Sequence, residues 1–412
     1  MSDILNGRTV IEILGRNPVH PFPARMAPGL ALDAIAETNQ PLRILDPMSG
    51  SGTVLAVAQS RGHHAIGLDI DPLSVLISRV WTTPVDAESL LEQGTQVLER
   101  AQCGFTSLEE GDAYPLGSDD ETKGFLSFWF DGNARRQLTL LASAIKEIKC
   151  RRIRSALWCA FSRLIIAKKS GASLAMDLSH SRPHRVFKRA PSEPFGNFLS
   201  AVNRVAKNCL DNRTRAPGPS TTVHEGDARS LPLDDGSIDL VLTSPPYLNA
   251  IDYFRCSKFS LVWMGYSIEE LRSRRSVSVG TEVGKEADND HEIQDVFSAL
   301  DLNPVLETRQ RKILARYIDD MRRVVRETAR VLVHEGQAVY VIGENTVRGT
   351  YIPNAIIVEA VANSAGLRCK AKRSRELPAN RRYLPPPATQ SAKASLGGRL
   401  RREIILTFEK TN

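Results

Sequence analysis

Between Ile44 and Val80 the chain alternates between short apolar runs and longer helical ones, and this alternation limits the fold more than any other feature. Ile44 and Leu45 end a strand that runs into Asp46. A turn follows, Asp46-Pro47-Met48-Ser49-Gly50-Ser51-Gly52-Thr53, then a helix from Val54 to Arg61. Ala65-Ile66-Gly67-Leu68-Asp69-Ile70 reads as the next strand and Leu73 to Val80 as the next helix. Strand, glycine-rich turn, helix, strand, helix is a βαβ unit, which lays its strands in a parallel sheet covered by helices. The pattern resumes at Val223, with a strand over Asp239–Thr243, a long helix from Tyr317 to Leu332, a strand over Gln337–Gly343, a helix from Ile356 to Ala365 and a strand over Glu403–Phe408. The expectation is an α/β fold with a doubly wound, mostly parallel sheet.

Residues 82–220 break that rhythm and read as a mainly helical insertion, leaving 1–81 and 221–412 as the two parts of one α/β domain. From Arg135 to Arg189 the insertion carries fourteen Lys or Arg against two acidic residues, far above the chain-wide net charge of +7. Such an excess suits a polyanion, whereas the mild overall charge does not demand one. The basic stretches are Lys168-Lys169-Ser170-Gly171 and His180-Ser181-Arg182-Pro183-His184-Arg185-Val186-Phe187-Lys188-Arg189. Two further clusters, Arg272-Ser273-Arg274-Arg275 and Asn380-Arg381-Arg382-Tyr383, lie outside the insertion. Pro183 argues against the helix that would turn His180 and His184 into a metal pair. The polar stretches 265–307 and 377–398 read as long loops, and Asp211 to Pro219 as the linker leaving the insertion.

The six cysteines form no C-x-x-C pair, which fits reduced, scattered thiols better than a disulfide frame or a zinc site. No basic-then-apolar leader opens the chain and no apolar run reaches membrane-spanning length, so the expectation is a soluble cytoplasmic protein with no metal.

The glycine-rich turn sits where a ligand can approach backbone closely and meet free N–H groups at a helix start. An acid at the strand end would repel phosphate, and Gly-Lys-Ser/Thr is missing, so this is not a P-loop. An acid there suits a cationic ligand with an amino-acid part. Asp69 ends the second strand, where a carboxylate can accept both hydroxyls of a ribose. Asp227, in Glu225-Gly226-Asp227-Ala228, can accept from an adenine amine. Three acids at successive strand ends fit S-adenosylmethionine. The fourth strand end carries Thr243-Ser244-Pro245-Pro246-Tyr247. Two prolines fix φ and supply no N–H, holding the chain extended between a hydroxyl and an aromatic ring. That set accepts hydrogen bonds from a planar amine and stacks on a flat ring.

With these motifs the chain resembles the S-adenosylmethionine-dependent DNA amino-methyltransferases, over about residues 15–80 and 221–410. The resemblance implies a class I methyltransferase fold. It implies cofactor contacts from Asp46, Pro47, Gly50, Gly52, Thr53, Asp69 and Asp227, and from Phe22 in His20-Pro21-Phe22-Pro23, which closes over the methionine part. It makes Ser244, Pro245, Pro246 and Tyr247 the catalytic motif, acting on a base flipped out of double-stranded DNA. Ser at the first position resembles the cytosine-N4 enzymes more than the adenine-N6 ones; an RNA methyltransferase is the other alternative. DNA contacts are expected from Lys168, Lys169, Arg182, Arg185, Lys188, Arg189, Arg274 and Arg275. A cognate restriction endonuclease or other defence partner would accompany such an enzyme.

Overall fold

The computed structural model describes residues 8–22, 25–35, 40–167, 171–176, 178, 183–210, 218, 220–248, 253–281, 291–300, 307–343, 345–347, 350–376 and 402–411. Lys168, Lys169, His180, Arg182, the run 380–383 and nearly all of the linker 211–219 lie outside those residues.

Seven strands form one sheet: β1 (Arg43–Asp46), β2 (His64–Asp69), β3 (Thr221–Glu225), β4 (Ile238–Thr243), β5 (Leu332–Gly343), β6 (Leu367–Glu376) and β7 (Arg402–Lys410). Their order across the sheet is β6-β7-β5-β4-β1-β2-β3. Only β7 runs against its neighbours. This is the doubly wound arrangement of a class I methyltransferase, and its strand order reverses between β1 and β4. The crevice outside the carboxyl ends of strands at such a reversal is where α/β sheets bind ligands.

Alternation fixes the two faces. In β5, Ala338, Tyr340 and Ile342 pack with helices His291–Leu300, Thr308–Val331 and Asn354–Ser364, while Val339 and Val341 pack with helices Pro28–Ala34 and Thr53–Ser60. Each such aliphatic side chain contributes roughly 1.5–3 kcal/mol on burial, so a one-residue slip of register would be costly.

The insertion is helical, as expected: Ala87–Cys103, Asp120–Trp129, Gly132–Lys146, Arg151–Ile165 and Pro194–Ala206, with one small antiparallel pairing of Ala175–Met176 with His184–Arg185. It leaves and rejoins the sheet at one place, where the Val85 N–H donates to the Leu210 carbonyl at 3.1 Å. Its core is continuous with the α/β part. Phe130, Phe161 and Trp263 pack edge to face, and Trp263 lies on the helix Phe254–Met264 that follows the Ser-Pro-Pro-Tyr run.

The stretch expected as a loop, 265–307, instead contains two helices, Ile268–Ser276 and His291–Leu300. The first is polar on most sides and is held by its ends and by charge: the Ser267 hydroxyl caps the Glu270 N–H at 3.0 Å, and Arg274 pairs with Glu270 one turn back at 3.1 Å. The second buries Ile293, Val296, Phe297 and Leu300, an i, i+3, i+4, i+7 stripe inside polar surroundings. The long helix also begins earlier than its apolar periodicity suggests, at Thr308. No helix among the described residues is long and apolar enough to cross a membrane.

Candidate functional site

Four strand ends converge at the reversal point. The decisive contact joins the two principal motifs: Thr243 Oγ1, at the end of β4, donates to Asp46 Oδ1, at the end of β1, at 2.8 Å. Ser244-Pro245-Pro246-Tyr247 therefore begins one residue from a side chain locked to the glycine-rich turn. Asp46 Oδ1 also accepts from the Met48 N–H at 3.2 Å, which starts that turn.

The turn is shaped by two positive-φ glycines, Gly50 (φ 48°) and Gly52 (φ 80°). A Cβ on Gly52 would stand 3.0 Å from the Ser78 Cα, and one on Gly50 would stand 3.2 Å from Phe22 Cε1. Both positions need glycine for conformation and for space. The loop is then tied to β2 and to the following helix. The Gly50 N–H donates to Asp69 Oδ2 at 2.8 Å, and Ser78 Oγ donates to the Gly50 carbonyl at 2.7 Å. Asp69 Oδ1 accepts from the Asp71 N–H at 2.9 Å, and Asp71 caps the helix Pro72–Thr82 through the Leu73 N–H at 2.9 Å.

Burial raises all three of these carboxyls, Asp46 to about 7, Asp69 to about 6 and Asp71 to about 7, with Asp69 adding a like charge at the other two. The causes of these shifts include no cation, only hydroxyl and N–H donors that partly offset the burial. A cluster of buried acids without a positive partner is what a cationic ligand such as a sulfonium bearing an amino group would complete. The residues present fit S-adenosylmethionine on this observation.

The N-terminal element covers this corner. Phe22 stacks on Tyr253 with ring centroids 5.5 Å apart and planes 20° apart. The charges of Asp69 and Asp71 raise the Tyr253 hydroxyl beyond the shift its burial gives, so that ring lies beside the acids. His20 anchors the element from behind. Its Nδ1 meets the Pro21 carbonyl at 2.6 Å, its Nε2 meets Ser162 Oγ at 2.9 Å, and Ser162 Oγ meets Ser260 Oγ at 2.8 Å. Burial, with Arg163 and Arg25 nearby, lowers His20 to about 3, so the ring is neutral. A carbonyl only accepts, so Nδ1 carries the proton and Nε2 accepts from Ser162.

Asp227 follows β3 as expected, but its carboxylate is engaged by Arg229, with Nη2 to Oδ2 at 2.7 Å. Arg229 in turn reaches Asp320 at 2.6 Å on the long helix. Tyr247 is half-buried with its hydroxyl 3.5 Å from Glu403 on β7. Gly280 backs the motif: a Cβ there would lie 3.6 Å from the Tyr247 carbonyl and 3.8 Å from that of Pro246.

The basic residues divide. Arg185, Lys188 and Arg189 are exposed on the insertion, where Arg185 lies 5.0 Å over the Phe128 ring and Met176 and Val186 are also exposed. Arg274 is engaged by Glu225 and Glu270, and Arg275 is half-buried beside it. Sequence reasoning placed Thr243 and His20 within motifs but gave their side chains no partner, and it did not single out Ser78, Tyr253, Ser162 or Ser260. Asp71 alone left a signal, as an acid before Pro72 at a helix start. Among the described residues no group of His, Cys, Asp and Glu is arranged to hold a metal.

No family model matches the chain. It is 25% identical over 363 residues to the type II methyltransferase M.MvaI of Kocuria varians, across 82% of this chain and 79% of that one. The chain is a relative of the type II methyltransferases. M.AvaI of Anabaena variabilis, another type II methyltransferase, is 22% identical over 372 residues, across 79% of this chain and 73% of its own. M.BsoBI of Geobacillus stearothermophilus is 23% identical over 276 residues, and there the match spans half of the relative's length and 58% of this chain. The first two of these alignments are longer than the two α/β parts together, so this type II methyltransferase relative shares at least part of the insertion with them.

Proposed function

We propose that the protein is a DNA methyltransferase that uses S-adenosylmethionine to methylate an exocyclic base amine, cytosine N4 in first place. The observation that carries the reading is the Thr243–Asp46 hydrogen bond, which sets the amine-accepting motif against the cation-seeking turn. Bound between them, the cofactor supplies an electrophilic methyl on a sulfonium sulfur. Asp69 accepts the ribose hydroxyls, and Asp46 and the glycine-rich turn hold the amino-acid end under Phe22. Asp227, shared with Arg229, borders the adenine.

An exocyclic amine is a poor nucleophile because its lone pair is spread into the ring. Ser244 Oγ and the Pro245 carbonyl accept hydrogen bonds from its two N–H groups and draw the nitrogen toward tetrahedral geometry as charge develops, a stabilisation exerted in the transition state. Fixing the amine in line with the methyl supplies much of the remainder. Tyr247 stacks on the extruded base, worth about 1–3 kcal/mol. Arg185, Lys188 and Arg189, beside the exposed rim of Phe128, Met176 and Val186, take the duplex backbone. Lys168, Lys169 and Arg182, which lie outside the described residues, are assigned to DNA by their charge alone. An endonuclease blocked by the methyl mark is the partner this reading implies.

The test is nucleoside mass spectrometry of unmethylated duplex DNA incubated with protein and cofactor. N4-methylcytosine is expected. N6-methyladenine would move the substrate to adenine, and label entering RNA alone would replace the DNA reading.

A further inference from the structure

A second cleft, of about 430 Å³, opens at the free edge of the sheet, between β3, the end of the helix Pro72–Thr82 and the start of the helix Arg151–Ile165. Its lining includes Arg79, Arg151, Arg152, Thr221, Thr222 and His224, and no acidic residue. Arg151 and Arg152 are exposed, and no carboxylate among the described residues pairs with either. They open a 15-residue helix whose N-cap, Cys150, supplies no side-chain cap, so the first N–H groups also point outward. Arg79 is held in place by donating Nη2 to the Val223 carbonyl at 2.9 Å. Burial lowers Arg79, and the like charge of Arg151 lowers it further. Glu225, the nearest acid, offsets this only in part, and its carboxylate is bonded to Arg274. Thr221 Oγ1 is shielded from water and has no hydrogen-bond partner.

Three guanidinium groups lining one cleft that has no acid in its lining, an uncapped helix start and an orphaned hydroxyl share one ligand chemistry, a tetrahedral oxyanion. We propose that this cleft is a phosphate-binding site separate from the methyl-transfer corner. The cleft runs along β3 from Thr221 to His224, and its Thr221 end stands four residues, roughly 13 Å, back from Glu225, the register partner of Asp69. Thr221 opens β3, so this end of the cleft lies at the amino end of the strand, away from the carboxyl ends that carry the cofactor acids. The phosphate comes either from a polynucleotide backbone or from a small phosphate ester.

The double variant Arg151→Glu/Arg152→Glu tests this, because acids in a first helical turn favour the helix and leave the fold intact. Thr221→Val removes the hydroxyl without changing charge or shape. Full-length proteins are titrated with duplex DNA across a salt series and, separately, melted with and without inorganic phosphate. A backbone site predicts about tenfold weaker DNA binding by the double variant and a log–log salt slope shallower by about 2, with no effect of phosphate on melting. A small-ester site predicts that phosphate raises the wild-type melting point by about 2–4 °C, that neither variant responds, and that DNA binding is unchanged. Unchanged DNA affinity, slope and phosphate response in both variants would overturn the site. A phosphate response in a wild-type protein that binds no DNA would instead leave the cleft standing and count against the methyltransferase reading.

Discussion

The corner at the ends of β1, β2 and β4 and the outer face of the insertion differ in how their polar groups are used. At the corner, residues separated by as many as 197 positions are cross-linked by short hydrogen bonds, and burial raises Asp46, Asp69 and Asp71. On the insertion, Arg185, Lys188 and Arg189 stand in solvent, and Arg185 rests on an aromatic ring. The first region is preorganised for one small cation, where misplacement by an ångström is costly. The second offers charge without fixed geometry, which suits a long polyanion that is held first and read second. Damage to the corner should therefore be large and local, and damage to the insertion smaller and dependent on salt.

The largest effect is expected from Ser244→Ala. Losing one acceptor aimed at developing charge should lower the single-turnover methylation rate by about 10²–10³-fold, with cofactor affinity by calorimetry near wild type. A lost cofactor affinity would place Ser244 in the wrong half of the site. Asp69→Ala removes charge-assisted bonds worth about 1.5–3 kcal/mol each, so cofactor affinity should fall about 10–100-fold. Normal cofactor binding by that variant would take Asp69 out of the site. Arg185→Glu with Arg189→Glu should weaken DNA binding about tenfold and make the salt slope shallower by about 2, while leaving cofactor binding untouched. A salt-independent loss would mean that these residues read bases or hold the fold instead.

The acids give the comparison a pH signature. Asp46, Asp69 and Asp71 titrate in the fold at about 7, 6 and 7, above the value of about 3.9 for an unfolded aspartate. The fold without cofactor binds their protons more tightly than the unfolded chain does. Their contribution to stability is therefore present at acid pH and is lost as pH rises from about 4 through 7. A bound cation favours the ionised forms, so cofactor affinity should run the other way and rise over the same interval. Urea midpoints from pH 5 to 8 with and without cofactor check both signs; parallel curves would show that the acids do not meet the cation. The smallest effect is expected at Gly52→Ala. Its left-handed backbone and the Ser78 contact should cost about 1–3 kcal/mol of stability, seen as a lower melting point.

Much of the sheet was legible because its elements announce themselves locally. β1, β2 and β4 are short, largely apolar runs that end in an acid or lead into a proline pair at their carboxyl ends. The helix Ile268–Ser276 was not legible from periodicity, since almost nothing on it is buried except Leu271. Its real signal was the Ser267-x-x-Glu270 start, the pattern of a capping box. His291–Leu300 carries a clean apolar stripe, and the polar residues around it drew the reading toward a loop. Within the candidate site, the residue types expected to bind or react stand out in the sequence, while those that act by touching a distant partner do not. Tyr253 lies beside the acids only because the chain returns there, and nothing in its neighbours says so. The same holds for Arg229, whose guanidinium also reaches Asp320, 91 residues further along the chain.

Ser162 is hydrogen-bonded on one side to His20 in the N-terminal element and on the other to Ser260 on the helix Phe254–Met264, although it belongs to the inserted segment. A swap that grafts this segment from one relative to another, in the hope of exchanging sequence preference, would replace one of the groups that anchor the N-terminal element over the corner. Such a chimera needs its serine–histidine–serine trio carried over as a unit. Without it, a change intended for specificity would surface as a failure to retain the methyl donor.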